Sequence, residues 1–191
     1  MARFPRADNQ AGTLSNEPLA VTYLYGEDTE TPNVFHFHEQ YVGQAGFEAH
    51  RQSAHFAEWE VFASSNPFTG PPEVFFFEAT DGRSSASPLG GDLFCVNVRC
   101  HVKPERRADF LTEISADQRG TLTSEPLAKA MLVGEDTSNT NVFHFHEEFY
   151  CGREGFKAHT ASPHFQPWQC FVDSQPFVEG LDVRFYTRSG A

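Results

Sequence analysis

The heptapeptide NVFHFHE occurs twice in this chain, at Asn33 to Glu39 and at Asn141 to Glu147. Around it, EPLAVTYLYGEDTETPNVFHFHEQY lies over EPLAKAMLVGEDTSNTNVFHFHEEFY with a constant offset of 108 residues. One inserted residue then raises the offset to 109. With it, GFEAHRQSAHFAEWEVFASSNPF (Gly46 to Phe68) matches GFKAHTASPHFQPWQCFVDSQPF (Gly155 to Phe177) in both histidines, the serine, the tryptophan and the closing Pro-Phe. So long a period excludes short solenoid units and divides the 191 residues into two small domains. We place a first repeat in residues 1–79, a linker in 80–91 and a second repeat in 92–191.

The second repeat reads as a complete unit. DLFCVNVRCHVK (Asp92 to Lys103) alternates and is rich in β-branched residues, which predicts a strand ended by Pro104. A helix follows, with Phe110, Leu111, Ile114 and Gln118 at spacings of three and four, and runs out at Gly120 to Ser124. Strands are expected at Pro126 to Val133 and Asn141 to Phe149, short helices at Gly152 to His159 and Ser162 to Val172, and a last strand at Asp182 to Thr187. The order β-α-β-β-α-β specifies an α+β, ferredoxin-like (split βαβ) unit with helices on one sheet face. The other face needs cover, and two such units on one chain suggest sheet-to-sheet packing as a pseudo-dimeric α/β barrel.

The first repeat starts late. Shifted back by 108, the strand Asp92 to Lys103 would fall before Met1, so this unit is expected to lack its first strand and most of its first helix. A chain that begins late, a strand borrowed from another chain, or a locally repaired sheet would each account for this. The Gly/Ser/Pro-rich segment Ala79 to Asp92 is expected to be a linker long enough to let the units pack.

A net charge of −12 without a Lys/Arg cluster argues against nucleic acid and anionic membrane as partners. With no 18-residue apolar run and no signal-like apolar region after MARFPRADNQ, a cytoplasmic location is the expectation. Cys95, Cys100, Cys151 and Cys170 have no counterparts in the first repeat, which points to free thiols rather than a disulfide or metal framework of the shared fold.

Eight of the nine histidines are duplicated pairs: His36/His144, His38/His146, His50/His159 and His55/His164. On a strand, the two histidines of His-Phe-His project to one face and the phenylalanines with Glu39 or Glu147 to the other. Three readings of the imidazole face stand side by side: a general base for a phenolic proton, a zinc, iron or copper site, or hydrogen-bonded filling between packed sheets. A cupin is disfavoured because Glu39 and Glu147 point away from the imidazoles, and no acidic partner at obvious spacing completes a Ser-His-Asp hydrolase. Ser53 and Ser162 read either as neighbours of His50 and His159 on a helix face or as helix N-caps.

The element order, the strands ending Glu147-Glu148-Phe149 and Glu39-Gln40-Tyr41, and the following His-x-x-Ser-x-His-Phe resemble the antibiotic biosynthesis monooxygenase domain. The resemblance implies a pocket between sheet and helices and oxidation of phenolic or quinol compounds by dioxygen with no metal or flavin. It places Asn97 where haem-degrading relatives have an asparagine. Their tryptophan corresponds to Phe149 and Tyr41 and their haem ligand to Gln169 and Glu60, so haem degradation is not expected.

The resulting expectation is a cofactor-independent monooxygenase that takes dioxygen as co-substrate and a small aromatic, phenolic or quinol compound. The base would be His38/His146 or His50/His159, and Asn97 a polar anchor. Tyr41/Phe149 with Trp59/Trp168 would form an aromatic wall, and His36/His144 and His55/His164 would border the substrate. No metal site is assigned, and further homo-oligomerisation is left open. The alternatives are a non-catalytic binding protein for small hydrophobic ligands, or an isomerase or metal-dependent enzyme on the same fold.

Overall fold

A computed structural model describes residues 6–80, 82–83 and 92–188. Most of the expected linker therefore lies outside the described residues. Two compact units are present, one formed by residues 6–26 and 35–74 and the other by 27–34, 75–80, 82–83 and 92–188. The short segments 27–34 and 75–79 are thus first-repeat sequence that belongs to the second unit.

In the second unit, β3 (Phe94–His101), α4 (Arg107–Ser124), β4 (Ala128–Glu135), β5 (Val142–Phe149), α5 (Arg153–Thr160), α6 (Phe165–Asp173) and β6 (Asp182–Arg188) follow the predicted order. β3 pairs antiparallel with β5 and β6, and β5 with β4, giving the order β6-β3-β5-β4. The first strand of the repeat is therefore central, as the ferredoxin-like arrangement requires.

The motif strand β5 is buried along its whole length. It is preceded by Asn141, whose φ of 64° asparagine tolerates better than most residues. The Asn141 N–H donates to Glu135 Oε1 at 2.7 Å, and Arg107 clamps both groups, reaching Glu135 Oε1 at 2.6 Å and Asn141 Oδ1 at 2.9 Å. Phe143, Phe145 and Phe149 enter the helix-side core with Phe94, Val96, Val98, Phe110, Ile114, Trp168 and Phe171. Phe110 is fully buried, its ring centroid 4.4 Å from that of Phe143. Truncating such a residue to alanine typically costs about 3–5 kcal/mol.

The buried stripe of α4 is Phe110, Ile114, Asp117 and Thr121. The expected stripe is corrected at two positions: Leu111 is 39% exposed, and Gln118 donates to the Met131 carbonyl at 2.8 Å from the helix edge. An apolar periodicity cannot reveal that the inward row continues with an aspartate and a threonine.

In the first unit, α1 (Arg6–Asn16), β1 (Ala20–Asp28), β2 (Phe35–Tyr41), α2 (Gly43–Arg51) and α3 (Ala54–Ser64) are formed, and β1 neighbours β2. Among the described residues, no strand precedes α1. α1 is the C-terminal part of the counterpart of α4.

Residues 75–79 of the first repeat, most of the counterpart of β6, and the linker residues 80, 82 and 83 lie along β4 inside the second unit. Phe77 bridges Asp136 and Arg83 bridges Ala130, while the Thr80 N–H donates to the Val133 carbonyl at 3.1 Å. The segment 27–34 joins the same unit through the Thr29 N–H to Phe185 carbonyl bond, 2.8 Å. Among the described residues no helix is long and apolar enough to cross a membrane, and all four cysteines are free.

Candidate functional site

Strand alternation sorts the candidate residues of the second unit onto two faces. β3 and β5 place Asn97, His144, His146 and Glu148 on the face away from the helices, whereas Glu147 and Phe149 face the helices. The sequence expectation for the HFHE strand is met in this respect.

On the face away from the helices, Asn97 and His146 are register partners, with His146 Nδ1 2.8 Å from Asn97 Oδ1. With the Nδ1 proton donated to that oxygen, Nε2 carries the lone pair. Glu148 Oε1 lies 3.8 Å from His146 Nε2, and Lys129 Nζ lies 2.5 Å from Glu148 Oε2. His146 and Glu148 are each 1% exposed.

Burial lowers the basicity of His146 below the usual histidine range, which keeps the ring neutral at neutral pH. Burial would raise the Glu148 carboxyl, but His146 and the Lys129 ammonium bring it down to about 2. Cys95, register partner of both Glu148 and Tyr186, has its thiol pushed up to about 12 by burial. His144 is tied differently, its Nε2 2.9 Å from Asp136 Oδ2 and its ring stacked between Phe75 and Phe77. Asp136, despite burial, is lowered to about 2 by His144 and the Ser138 N–H.

On the helical side, His159 near the end of α5 and His164 before α6 converge on Glu125, which follows α4. Glu125 Oε1 lies 2.9 Å from His159 Nδ1 and 2.6 Å from His164 Nε2, and Thr121 Oγ1 is 3.3 and 3.4 Å from the same nitrogens. Asp117 Oδ2 is 3.9 Å from His159 Nε2. Burial raises Asp117 to about 6 and Glu147 to about 7. Burial works against the charged form of His159, yet its bond to Glu125 and the nearby Glu147 carboxylate leave it raised. Ser162 accepts from the Phe165 N–H at the start of α6, 3.3 Å, and Ser53 caps α3 through the Phe56 N–H at 3.2 Å.

The first unit repeats the helical cluster. Glu17 Oε1 lies 2.9 Å from His50 Nδ1 and 2.5 Å from His55 Nε2, with Thr13 Oγ1 3.3 and 3.2 Å from those nitrogens. The surroundings differ, because Asn9 takes the place of Asp117 and donates to the Tyr23 hydroxyl at 3.0 Å. The Tyr41 hydroxyl donates to Glu39 Oε2 at 2.9 Å, and burial raises Glu39. His38 is buried and His36 half-buried on β2, and the described residues include no counterpart of Asn97 there.

The predicted set is thus brought together only in part. Asn97 and His146 meet, as do His159 with His164 and His50 with His55. Phe149 and Trp168 lie on the opposite side of the sheet from Asn97, packed in the core with Phe145 and Phe110. Trp59 contacts Phe37, Phe62 and Phe68. Sequence reasoning missed Glu148, Lys129, Asp117 and the duplicated Thr13/Thr121 and Glu17/Glu125. Glu17 and Glu125 carried a usable signal as the first residues of the matching block. Also missed was a cavity of about 230 Å³ beside α4 and β4, lined by Leu111, Ile114, Val133, Phe143, Arg107 and Gln118 among others.

The family model for antibiotic biosynthesis monooxygenase matches residues 6–60 and 93–169. A putative monooxygenase from Fusobacterium nucleatum subsp. nucleatum superposes with a TM-score of 0.84 at 15% identity, over 96% of this chain and 82% of the other. One from Lactobacillus acidophilus gives 0.79 at 16% identity, over 96% and 84%. An anthrone oxidase-like protein gives 0.62 at 11%, over 96% and 83%. At these identities the likeness is one of fold. No curated protein matches the chain.

Proposed function

The chain belongs to the antibiotic biosynthesis monooxygenase family, and from that premise we propose that it is a cofactor-independent monooxygenase acting on a small phenolic, quinol or anthrone-like compound. The observation that carries this reading is the Asn97–His146 pair, a buried neutral imidazole oriented through Nδ1 by an amide. Its Nε2 faces Glu148 Oε1 at 3.8 Å; as Nε2 takes the substrate proton, that carboxylate stabilises the imidazolium that results.

The deprotonated substrate is itself the reductant. At an anthrone-type CH₂ group, loss of a proton leaves an electron pair that reduces dioxygen to a carbon-bound hydroperoxide, which then eliminates water. The balance is R₂CH₂ + O₂ → R₂C=O + H₂O. The protein's part is to remove the proton, hold the ring beside Asn97 and exclude bulk water. Because His146 is 1% exposed, admission of substrate requires opening of this face.

Oxygen uptake by the purified chain against a panel of hydroquinones and anthrones, with its metal content measured in parallel, tests this directly. Uptake in metal-free protein that disappears in His146→Gln supports it; uptake unchanged by that substitution refutes it.

A second reading, a binding protein for small hydrophobic ligands, is favoured by the cavity beside α4. It combines the apolar Leu111, Ile114, Val133 and Phe143 with the polar Arg107 and Gln118, a mixture suited to a compact aromatic ligand. Saturable ligand binding that leaves oxygen unconsumed supports it.

A further inference from the structure

The helical cluster of the second unit plays no part in that reaction, because it lies on the other side of the sheet from Asn97 and His146. Its donors face one another closely. Glu125 Oε1, His159 Nδ1, His164 Nε2 and Thr121 Oγ1 come from the end of α4, from α5 and from the start of α6, and Glu125 touches both imidazoles at 2.9 and 2.6 Å. Two imidazole nitrogens and a carboxylate, with a hydroxyl or water as fourth donor, suit a zinc-class ion.

A second observation lies behind His159. Asp117 is 1% exposed, neither of its carboxylate oxygens has a hydrogen-bond partner, and Oδ2 is 3.9 Å from His159 Nε2. A carboxylate on the far nitrogen of a ligating histidine fixes the tautomer that presents the near nitrogen to a metal. The Glu125 Oε2 atom is likewise buried without a hydrogen-bond partner.

We propose that Glu125, His159 and His164 bind a divalent transition-metal ion of the zinc class, with Asp117 orienting His159 from behind. Each ring offers the ion the nitrogen that now donates to Glu125, so each moves its proton to the opposite nitrogen. For His159 that nitrogen faces Asp117. The first unit holds the same three donors in Glu17, His50 and His55, but Asn9 replaces the orienting carboxylate and His50 Nε2 is buried without a hydrogen-bond partner. The chain therefore has one tighter and one weaker site.

The test is titration of the metal-stripped full chain, ¹⁵N-labelled at histidine, with Zn²⁺ and with Co²⁺. The first equivalent is expected to shift the ring nitrogens of His159 and His164 ahead of those of His50 and His55, leaving His144 and His146 unmoved, and Co²⁺ gives visible ligand-field bands. Asp117→Asn, which copies the first unit, weakens the first equivalent by about 10- to 100-fold, and Glu125→Gln abolishes it. Circular dichroism establishes that both variants fold. Absence of saturable Zn²⁺ binding overturns the proposal, as does a first equivalent of wild-type affinity in both folded variants. If the variants do not fold, the wild-type ring shifts decide alone: shifts that bypass His159 and His164 overturn it.

Discussion

His146 Nδ1 and Asn97 Oδ1 lie 2.8 Å apart across the β3–β5 pair, which makes the amide the group that orients the imidazole. Loss of the two partners should therefore be unequal. His146→Gln removes the base and is expected to lower kcat by about 10²- to 10⁴-fold on an established substrate. Asn97→Ala keeps the imidazole but frees its orientation, so a smaller fall is expected, mainly in kcat and with a shifted pH profile. Steady-state oxygen uptake from pH 5 to 9 separates the two, and wild-type turnover in Asn97→Ala removes the role assigned to Asn97.

The Glu148 carboxyl, at about 2, gives a defined acid response. The His146 ring and the Lys129 ammonium, 2.5 Å away, cause the lowering against the effect of burial. Because the folded-state value lies below the ordinary 4.5, the unfolded chain binds the extra proton between these pH values. This contribution to stability is complete above about pH 4.5 and is lost as pH falls towards 2, at up to about 1.4 kcal/mol per pH unit. Urea midpoints across that range should show the slope, and Glu148→Gln should flatten it. At pH 7 the same variant is expected to be less stable by about 1–3 kcal/mol, since it strands Lys129.

Period-two alternation was enough to assign the two faces of NVFHFHE, because register fixes every side chain of a strand at once. The element order of the second repeat was legible for a similar reason: strand alternation, Pro104 and the Gly134-Glu135-Asp136 turn are local signals. What escaped was non-local. Glu125 meets His159 and His164 across more than thirty residues, and nothing in their spacing announces it. Nor could periodicity show that Asp117 and Thr121 continue the buried row of α4, since buried polar groups are recognised by partners rather than by pattern. The course of residues 75–80 along β4 escaped as well, for pairing between segments so distant in sequence leaves no local mark.

Gly134 makes that last pairing possible. A Cβ there would lie 2.3 Å from the Glu78 carbonyl oxygen and 2.6 Å from Phe77 Cδ2. Gly134→Ala should push the segment off β4 and destabilise the protein by about 1–3 kcal/mol. Hydrogen exchange locates the effect: the amides of Thr80 and Thr137, bonded to the Val133 and Phe76 carbonyls at 3.1 and 2.9 Å, should lose protection while β3 amides keep theirs. Unchanged protection at Thr80 and Thr137 would contradict the packing.

Gly120 allows a sharper test because two effects on stability have opposite signs. In a helix interior, glycine to alanine normally stabilises by about 1 kcal/mol. Here the new Cβ would lie 2.4 Å from His164 Cγ, so the ring must leave its place 2.6 Å from Glu125. Gly120→Ala should accordingly lower the melting temperature. At Gly12, the equivalent position in α1, the nearest atom is His55 Nδ1 at 2.9 Å, a gentler conflict with an intermediate outcome. Thermal unfolding of both variants gives the order directly. A Gly120→Ala variant more stable than wild type would mean that helix propensity wins, and that His164 is not held against α4 by Glu125.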